Sequence, residues 1–184
     1  MAPTKKILVI CGSTRKTSSN LHLIKAIEKL YGNQLIFTLY EGLLQLSQFN
    51  PDDDTETPPL PVAAMRKQVK DADGILICTP EYAMGVPGSL KNLLDWTVSS
   101  SDFSHKPVAA ITASLSGQKG HLSLLSTLRV IEAMVEDDMQ LLIPFIKTKL
   151  NDRQEITDDA TLKEVRRTMD ALVTALSSSK DVAG

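Results

Sequence analysis

Two short apolar runs, each emptying into a loop and then a helix, constrain this chain more than any other feature. Ile7-Leu8-Val9-Ile10-Cys11 leads into Gly12-Ser13-Thr14-Arg15-Lys16-Thr17-Ser18-Ser19-Asn20, and Gly74-Ile75-Leu76-Ile77-Cys78-Thr79 leads into a proline- and glycine-bearing stretch at 80–88. Such runs are too brief for helices, and their lack of polar alternation suits parallel strands covered on both faces. Behind each loop apolar residues recur at helical spacing: Leu21, Ile24, Ile27 and Leu30 after the first, Leu90, Leu93 and Leu94 after the second. Strand, loop and returning helix make the unit of a parallel sheet, whose loops hold ligands at the carboxyl ends of the strands.

The remaining segments continue the alternation. Gly32-Asn33 stops the first helix before a strand at 35–39. The stretch 41–61 contains Asn50-Pro51-Asp52-Asp53-Asp54 and Pro58-Pro59-Leu60-Pro61, and reads as a long irregular connection whose acids form a solvated face. A calcium loop would need a glycine turn and a distal glutamate that are missing there. Val62, Met65 and Val69 mark a second helix, with Pro61 in its first turn. After the polar stretch 99–102, a strand is expected at 107–112 and a third loop at 113–120. A helix over 121–136 should then carry Leu124, Leu125, Leu128, Ile131 and Val135 inward, followed by a strand at 139–142. Leu162, Val165, Met169, Leu172, Val173 and Leu176 form the stripe of a last helix behind Asp158-Asp159, whose charges complement its dipole. Residues 177–184 are expected to be a frayed tail.

Five strands alternating with five helices predict an α/β three-layer doubly wound fold, with a five-stranded parallel sheet and a single domain over 1–184. Right-handed crossovers leave two common strand orders. The order 2-1-3-4-5 is preferred, because it sets strands 1 and 3, both with elaborated loops, side by side at the switch point.

Composition narrows the function. A formal net charge of −2 over 184 residues, without a basic run, offers no general attraction for nucleic acid. No apolar stretch approaches the roughly 18 residues of a membrane span, and the amino end carries no signal-peptide pattern, so a cytoplasmic protein is expected. The two cysteines, Cys11 and Cys78, each end a predicted strand without the spacing of a redox pair or zinc site, and read as reduced core thiols. No metal is assigned.

The first loop gathers the hydroxyls of Ser13 and Ser18, the Asn20 amide and Arg15 just ahead of a helix. Two readings fit: a phosphate that accepts neutral hydrogen bonds plus a charge-assisted one from Arg15, or a turn capping its own helix with Arg15 in solvent. A Walker loop fails because the fifth position after Gly12 is Thr17, and the dinucleotide motif fails because position 14 is threonine. A cysteine phosphatase fails too, since the residue six after Cys11 is Thr17 rather than arginine. Residues 80–88 offer backbone groups and the rim of Tyr82 to a planar heterocycle, or else only a tight turn. His22 and His121 are given surface or helix-start roles, and Trp96 a place in the core.

Gly12-Ser13-x-Arg15-x-x-Ser18-x-Asn20, together with Pro80-Glu81-Tyr82-x-x-Gly85-x-Pro87-Gly88-x-Leu90-Lys91-Asn92-x-x-Asp95-Trp96, resembles the NAD(P)H-dependent FMN reductase family of flavodoxin-like proteins, which includes chromate, quinone and azo-dye reductases. The likeness follows element order over about residues 5–177. It implies FMN phosphate at Ser13, Arg15, Ser18 and Asn20, and the isoalloxazine ring against Pro80, Glu81, Tyr82 and Ala83. Ser114, Ser116 and Gly117 would close the site. Thr17 stands where many relatives have glycine, and Ala83-Met84 where others have an asparagine-containing pair, so contact at 83 is expected from backbone groups.

The chemistry so implied belongs to the flavin, and no side chain is assigned as catalytic. NADH or NADPH is the implied co-substrate: hydride passes from nicotinamide C4 to flavin N5 across about 3–3.5 Å, and then to a quinone, a second flavin or another small oxidant. Backbone N–H groups at 116–118 are expected at the N1 edge of the ring. The family further implies a homodimer or homotetramer. A flavodoxin-type electron carrier, holding FMN without nicotinamide turnover, is the alternative, and the modest net charge stands against it. A nucleotide-binding or hydrolytic α/β domain without flavin is a third reading.

Overall fold

The alternation becomes a five-stranded sheet, every pair parallel, in the order β2-β1-β3-β4-β5. The computed structural model describes residues 4–178. The strands are β1 Lys5–Cys11, β2 Leu35–Leu39, β3 Gly74–Thr79, β4 Val108–Ser114 and β5 Gln140–Pro144. The helices are α1 Ser19–Tyr31, α2 Leu60–Asp71, α3 Gly88–Asp95, α4 Gln118–Val130 and α5 Asp159–Ser178. None of the described helices is long and apolar enough to cross a membrane.

Central strand β3 is buried along its whole length. Successive strand residues feed opposite faces, as a period of two requires. Val9, Leu76 and Ile111 pack with Ile24 and Ile27 of α1 and Val165 and Leu172 of α5. Leu8, Ile75, Ile77 and Ala110 pack with Met65 of α2, Leu93 of α3 and Leu124 of α4. A helix layer therefore covers each side of the sheet.

Register brings the functional loops together. Cys11 stands opposite Cys78 and Cys78 opposite Ile111, so the loops after β1, β3 and β4 leave one edge of the sheet a strand spacing apart. Neither cysteine is in a disulfide, and Cys78 is the more deeply buried. Gly12 lets the first two loops touch: its N–H donates to the Cys78 carbonyl at 2.8 Å, and a Cβ there would lie 2.2 Å from Thr79 Oγ1. Only glycine fits without a shift.

Several boundaries differ from expectation. Helix α4 spans 118–130 instead of 121–136, because Gly117 takes a left-handed conformation that starts it early and Glu132, at φ 58°, follows its end. The chain then runs extended beside β4, where Val108 N–H donates to the Met134 carbonyl at 2.9 Å. Val135 thus contributes to the core from outside the helix. Strand β5 continues through Pro144, and as an edge strand it tolerates that proline. Helix α5 includes Ser177 and Ser178, whose hydroxyls donate to the Val173 and Thr174 carbonyls. The rest of the expected tail, 179–184, lies outside the described residues.

The 41–61 connection is irregular but tied down. Trp96 Nε1–H and Asn92 Nδ2–H both donate to the Ser47 carbonyl, at 2.8 and 3.0 Å, while Asn92 Oδ1 accepts the Phe49 N–H at 2.7 Å. Phe49 meets the Trp96 ring edge-on with centroids 5.1 Å apart. Asp54 is not part of a solvated face. It pairs with Arg66 at 2.7 Å and accepts from Ser99 Oγ at 2.6 Å.

Candidate active site

The loop after β1 folds its polar groups inward and its charges outward. Ser13, Ser18 and Asn20 are buried, whereas Thr14, Arg15, Lys16 and Thr17 are exposed. Ser18 is the N-cap of α1, its Oγ accepting from the Asn20 and Leu21 amides at 3.1 and 3.3 Å. The Ser18 side chain also lies within hydrogen-bonding reach of the Cys11 thiol. Asn20, 4% exposed, donates through Nδ2 to the Ala113 carbonyl of β4 at 3.0 Å, while its Oδ1 is buried without a partner among the described residues. Beneath them Cys11 Sγ–H donates to the Ser13 carbonyl at 3.4 Å. Burial pushes its thiol up despite that contact, which keeps it protonated and unreactive at neutral pH.

The loop after β3 makes a tight reversal. Tyr82 and Gly85 exchange backbone hydrogen bonds at 2.9 and 3.0 Å, and the residues between them, Ala83 and Met84, both carry positive φ, 49° and 64°. This is the pattern of a type I′ turn, which normally takes Asn-Gly. Tyr82 flanks the turn, 48% exposed. Glu81 N–H donates to Ser114 Oγ at 3.3 Å, while its carboxylate turns toward α4 and accepts the Gly120 N–H at 2.6 Å.

Together these elements enclose a cavity of about 410 Å³. Seven expected residues line it: Ser13, Arg15, Ser18 and Asn20 from the first loop, Pro80 and Tyr82 from the second, and Ser114. Four others lie off its wall. Glu81 points to α4, Ala83 is exposed in the turn, Ser116 is exposed, and Gly117 is buried ahead of α4 against Leu142 and Thr112. The amides at 116–118 accordingly stand outside the cavity wall.

Except for Leu115, which lies in the stretch 114–117 expected to close the site, the far wall was missed from the sequence. It is formed by Leu115 and by Phe145, Ile146, Lys147 and Thr148 after β5, with Ser19 and Ala113 completing the lining. Phe145 holds φ 54° and stays 58% exposed. Its N–H donates to the Leu115 carbonyl at 3.2 Å, and its own carbonyl accepts from Thr148 N–H at 2.9 Å. The strand order contained the signal, since the loop after β5 must emerge beside the loop after β4. Ending that strand at 142 hid it.

The cavity thus joins two cations, Arg15 and Lys147, with hydroxyls, the Asn20 side chain and apolar surface. Neither cation is in an ion pair among the described residues. His121, by contrast, lies one turn into α4 with Nδ1 3.0 Å from Thr112 Oγ1, and burial pushes its pKa down. It does not line the cavity.

Residues 5–148 match the family described as NADPH-dependent FMN reductase. A quinone reductase of Escherichia coli is 28% identical over 169 residues, covering 88% of this chain and 90% of that one. A 2-hydroxy-1,4-benzoquinone reductase of a Burkholderia species is 32% identical over 173 residues, covering 90% and 92%. Among solved structures, the flavoenzyme NAD(P)H:(acceptor) oxidoreductase FerB of Paracoccus denitrificans superposes with a TM-score of 0.75 at 23% identity, covering 95% of this chain and 98% of that one. An archaeal flavodoxin superposes at 0.61 with 12% identity, over 92% and 98%, so the fold is flavodoxin-like. With its match extending over most of the sequence, including all four cavity loops, the chain belongs to the NADPH-dependent FMN reductase family and is an oxidoreductase of that type.

Proposed function

We propose that the cavity binds FMN and that reduced nicotinamide and a small oxidant use it in turn. The observation that carries this reading is the exposed Arg15, in no ion pair among the described residues, beside the Ser18-capped start of α1 on one cavity wall. The phosphate of such a ligand suits Arg15 and the hydroxyls of Ser13 and Ser18. Pro80 and Tyr82 would border the ring. Leu115 and Phe145 add apolar surface that excludes water from the same space.

Bound there, FMN would supply the redox chemistry between NADH or NADPH and a quinone, a flavin or another small oxidant. The chain binds and orients the reactants, with no side chain needed as acid or base. One face of the ring site must stay open for them, and the exposed Tyr82 and Phe145 flank such an opening.

The test is an absorbance spectrum after adding FMN and desalting, followed by anaerobic NADPH, then NADH, then a quinone. Retained flavin absorbance that bleaches with a nucleotide and returns with quinone is expected. Flavin that neither nucleotide bleaches would favour an electron carrier. Initial rates at several quinone concentrations should give parallel double-reciprocal lines, and intersecting lines would overturn the shared-site cycle.

A further inference from the structure

We propose that Glu81 is a positioning residue: its carboxylate clamps the loop after β3 to the first turn of α4 and so sets where the loop after β4 stands. The inference rests on reading the cavity as the flavin site. A ring-facing role suggests itself from Glu81's place between Pro80 and Tyr82, but the structure gives its side chain another partner.

Glu81 holds both stems of the third loop. Its N–H donates to Ser114 Oγ where β4 ends, and its carboxylate accepts the Gly120 N–H where α4 begins, at 2.6 Å. That length is typical of a short, charge-assisted bond. The helix needs an outside partner. No side chain caps α4, its N-cap is Gly117, and its first turn contains no acid. Glu81 supplies from a neighbouring loop the negative charge that a helix start ordinarily takes from its own cap.

The contact is built closely. A Cβ at Gly120 would sit 2.9 Å from Glu81 Cβ and 3.1 Å from the Gly85 carbonyl, so the helix backbone rests directly on Glu81 and on the strained turn. Pro80 and Tyr82 on one wall, and Ser114 and Leu115 on another, flank residues that this bond ties together. Releasing it would let the walls separate without removing any lining group.

Two variants test this, Glu81→Ala and Glu81→Gln, the second keeping an acceptor oxygen. In the protein without flavin, amide exchange at Gly120 is compared with that at Ile77 in β3. Glu81→Ala should exchange at least about tenfold faster at Gly120 relative to Ile77, and Glu81→Gln should retain most of the protection. FMN dissociation constants should rise about tenfold for the alanine variant and less than about threefold for the glutamine variant.

Unchanged exchange at Gly120 in Glu81→Ala would overturn the clamp, whatever binds in the cavity. Faster exchange with unchanged FMN affinity would overturn the positioning role and leave the flavin site standing. A wild-type protein that binds no FMN overturns the flavin reading and the positioning role with it, while the exchange data still decide the bond.

Discussion

Arg15 and Ala83 show how single residues shape this site. Arg15 is exposed, lines the cavity and has no carboxylate to neutralise it among the described residues. A phosphate of about −1.5 to −2 charges would gain a charge-assisted bond there. Arg15→Ala should therefore weaken FMN binding by about 1.5–3 kcal/mol, read by fluorescence titration. An unchanged titration would remove Arg15 from the site. Ala83, at φ 49°, bears a cost that asparagine bears less, because a short polar side chain tolerates the left-handed region. Ala83→Asn should stabilise the fold by up to about 1 kcal/mol in urea. A lower midpoint would mean that the site requires alanine there for a packing reason. Positive φ recurs at Met84 in the same turn and at Phe145 on the cavity wall, and also at Ser101, His105, Glu132 and Gln154, which do not line the cavity.

At the scale of elements, the connection between β2 and α2 depends on the Asp54–Arg66 pair, whose side chains are only 10% and 14% exposed. Burial pushes the Asp54 carboxyl up, but the Ser99 hydroxyl and the Arg66 guanidinium outweigh it and leave the group below its ordinary value of 3.8. A depressed carboxyl contributes stability above its unfolded value and loses it as pH falls through the folded one. Asp54→Asn should thus cost about 1–3 kcal/mol at neutral pH, and the gap from wild type should close on acidification. Urea midpoints from pH 7 downward would show it, and a gap independent of pH would refute the ionic account. Asn92 and Trp96, conspicuous in the second motif, belong to the same task, since both hold the Ser47 carbonyl. Part of that motif therefore supports a loop. Its Pro80 and Tyr82 face the cavity.

For the molecule as a whole, the layering follows from strands that bury both faces and helices that bury one. The cavity lies at the carboxyl edge of the sheet, beside the switch between β1 and β3. On its wall, Leu115 and Phe145 remain 74% and 58% exposed. Large apolar side chains grouped in this way suit a subunit contact, as the family resemblance also implies. Light scattering at micromolar concentration should give a dimer or tetramer mass, and a monomer mass would overturn that assignment.

Periodicity in the chain determined the elements, their alternation and the parallel order. Short unbroken apolar runs such as 74–79 signal two covered faces, and stripes such as Val165, Met169 and Leu172 signal one. These patterns are local and repeat, so they survive without knowledge of distant contacts. Ser13, Arg15, Ser18 and Asn20 stood out as polar groups between a strand and a helix, Pro80 and Tyr82 as part of a stiff loop after a strand, and Ser114 only through the family resemblance. Only the tertiary structure decided that Phe145–Thr148 forms the far wall, that Glu81 turns toward Gly120, and that Glu132 marks the end of α4. Those outcomes depend on register between strands remote in sequence, on the sign of single φ angles, and on which partner a carboxylate reaches across space. None of these leaves a period in the chain.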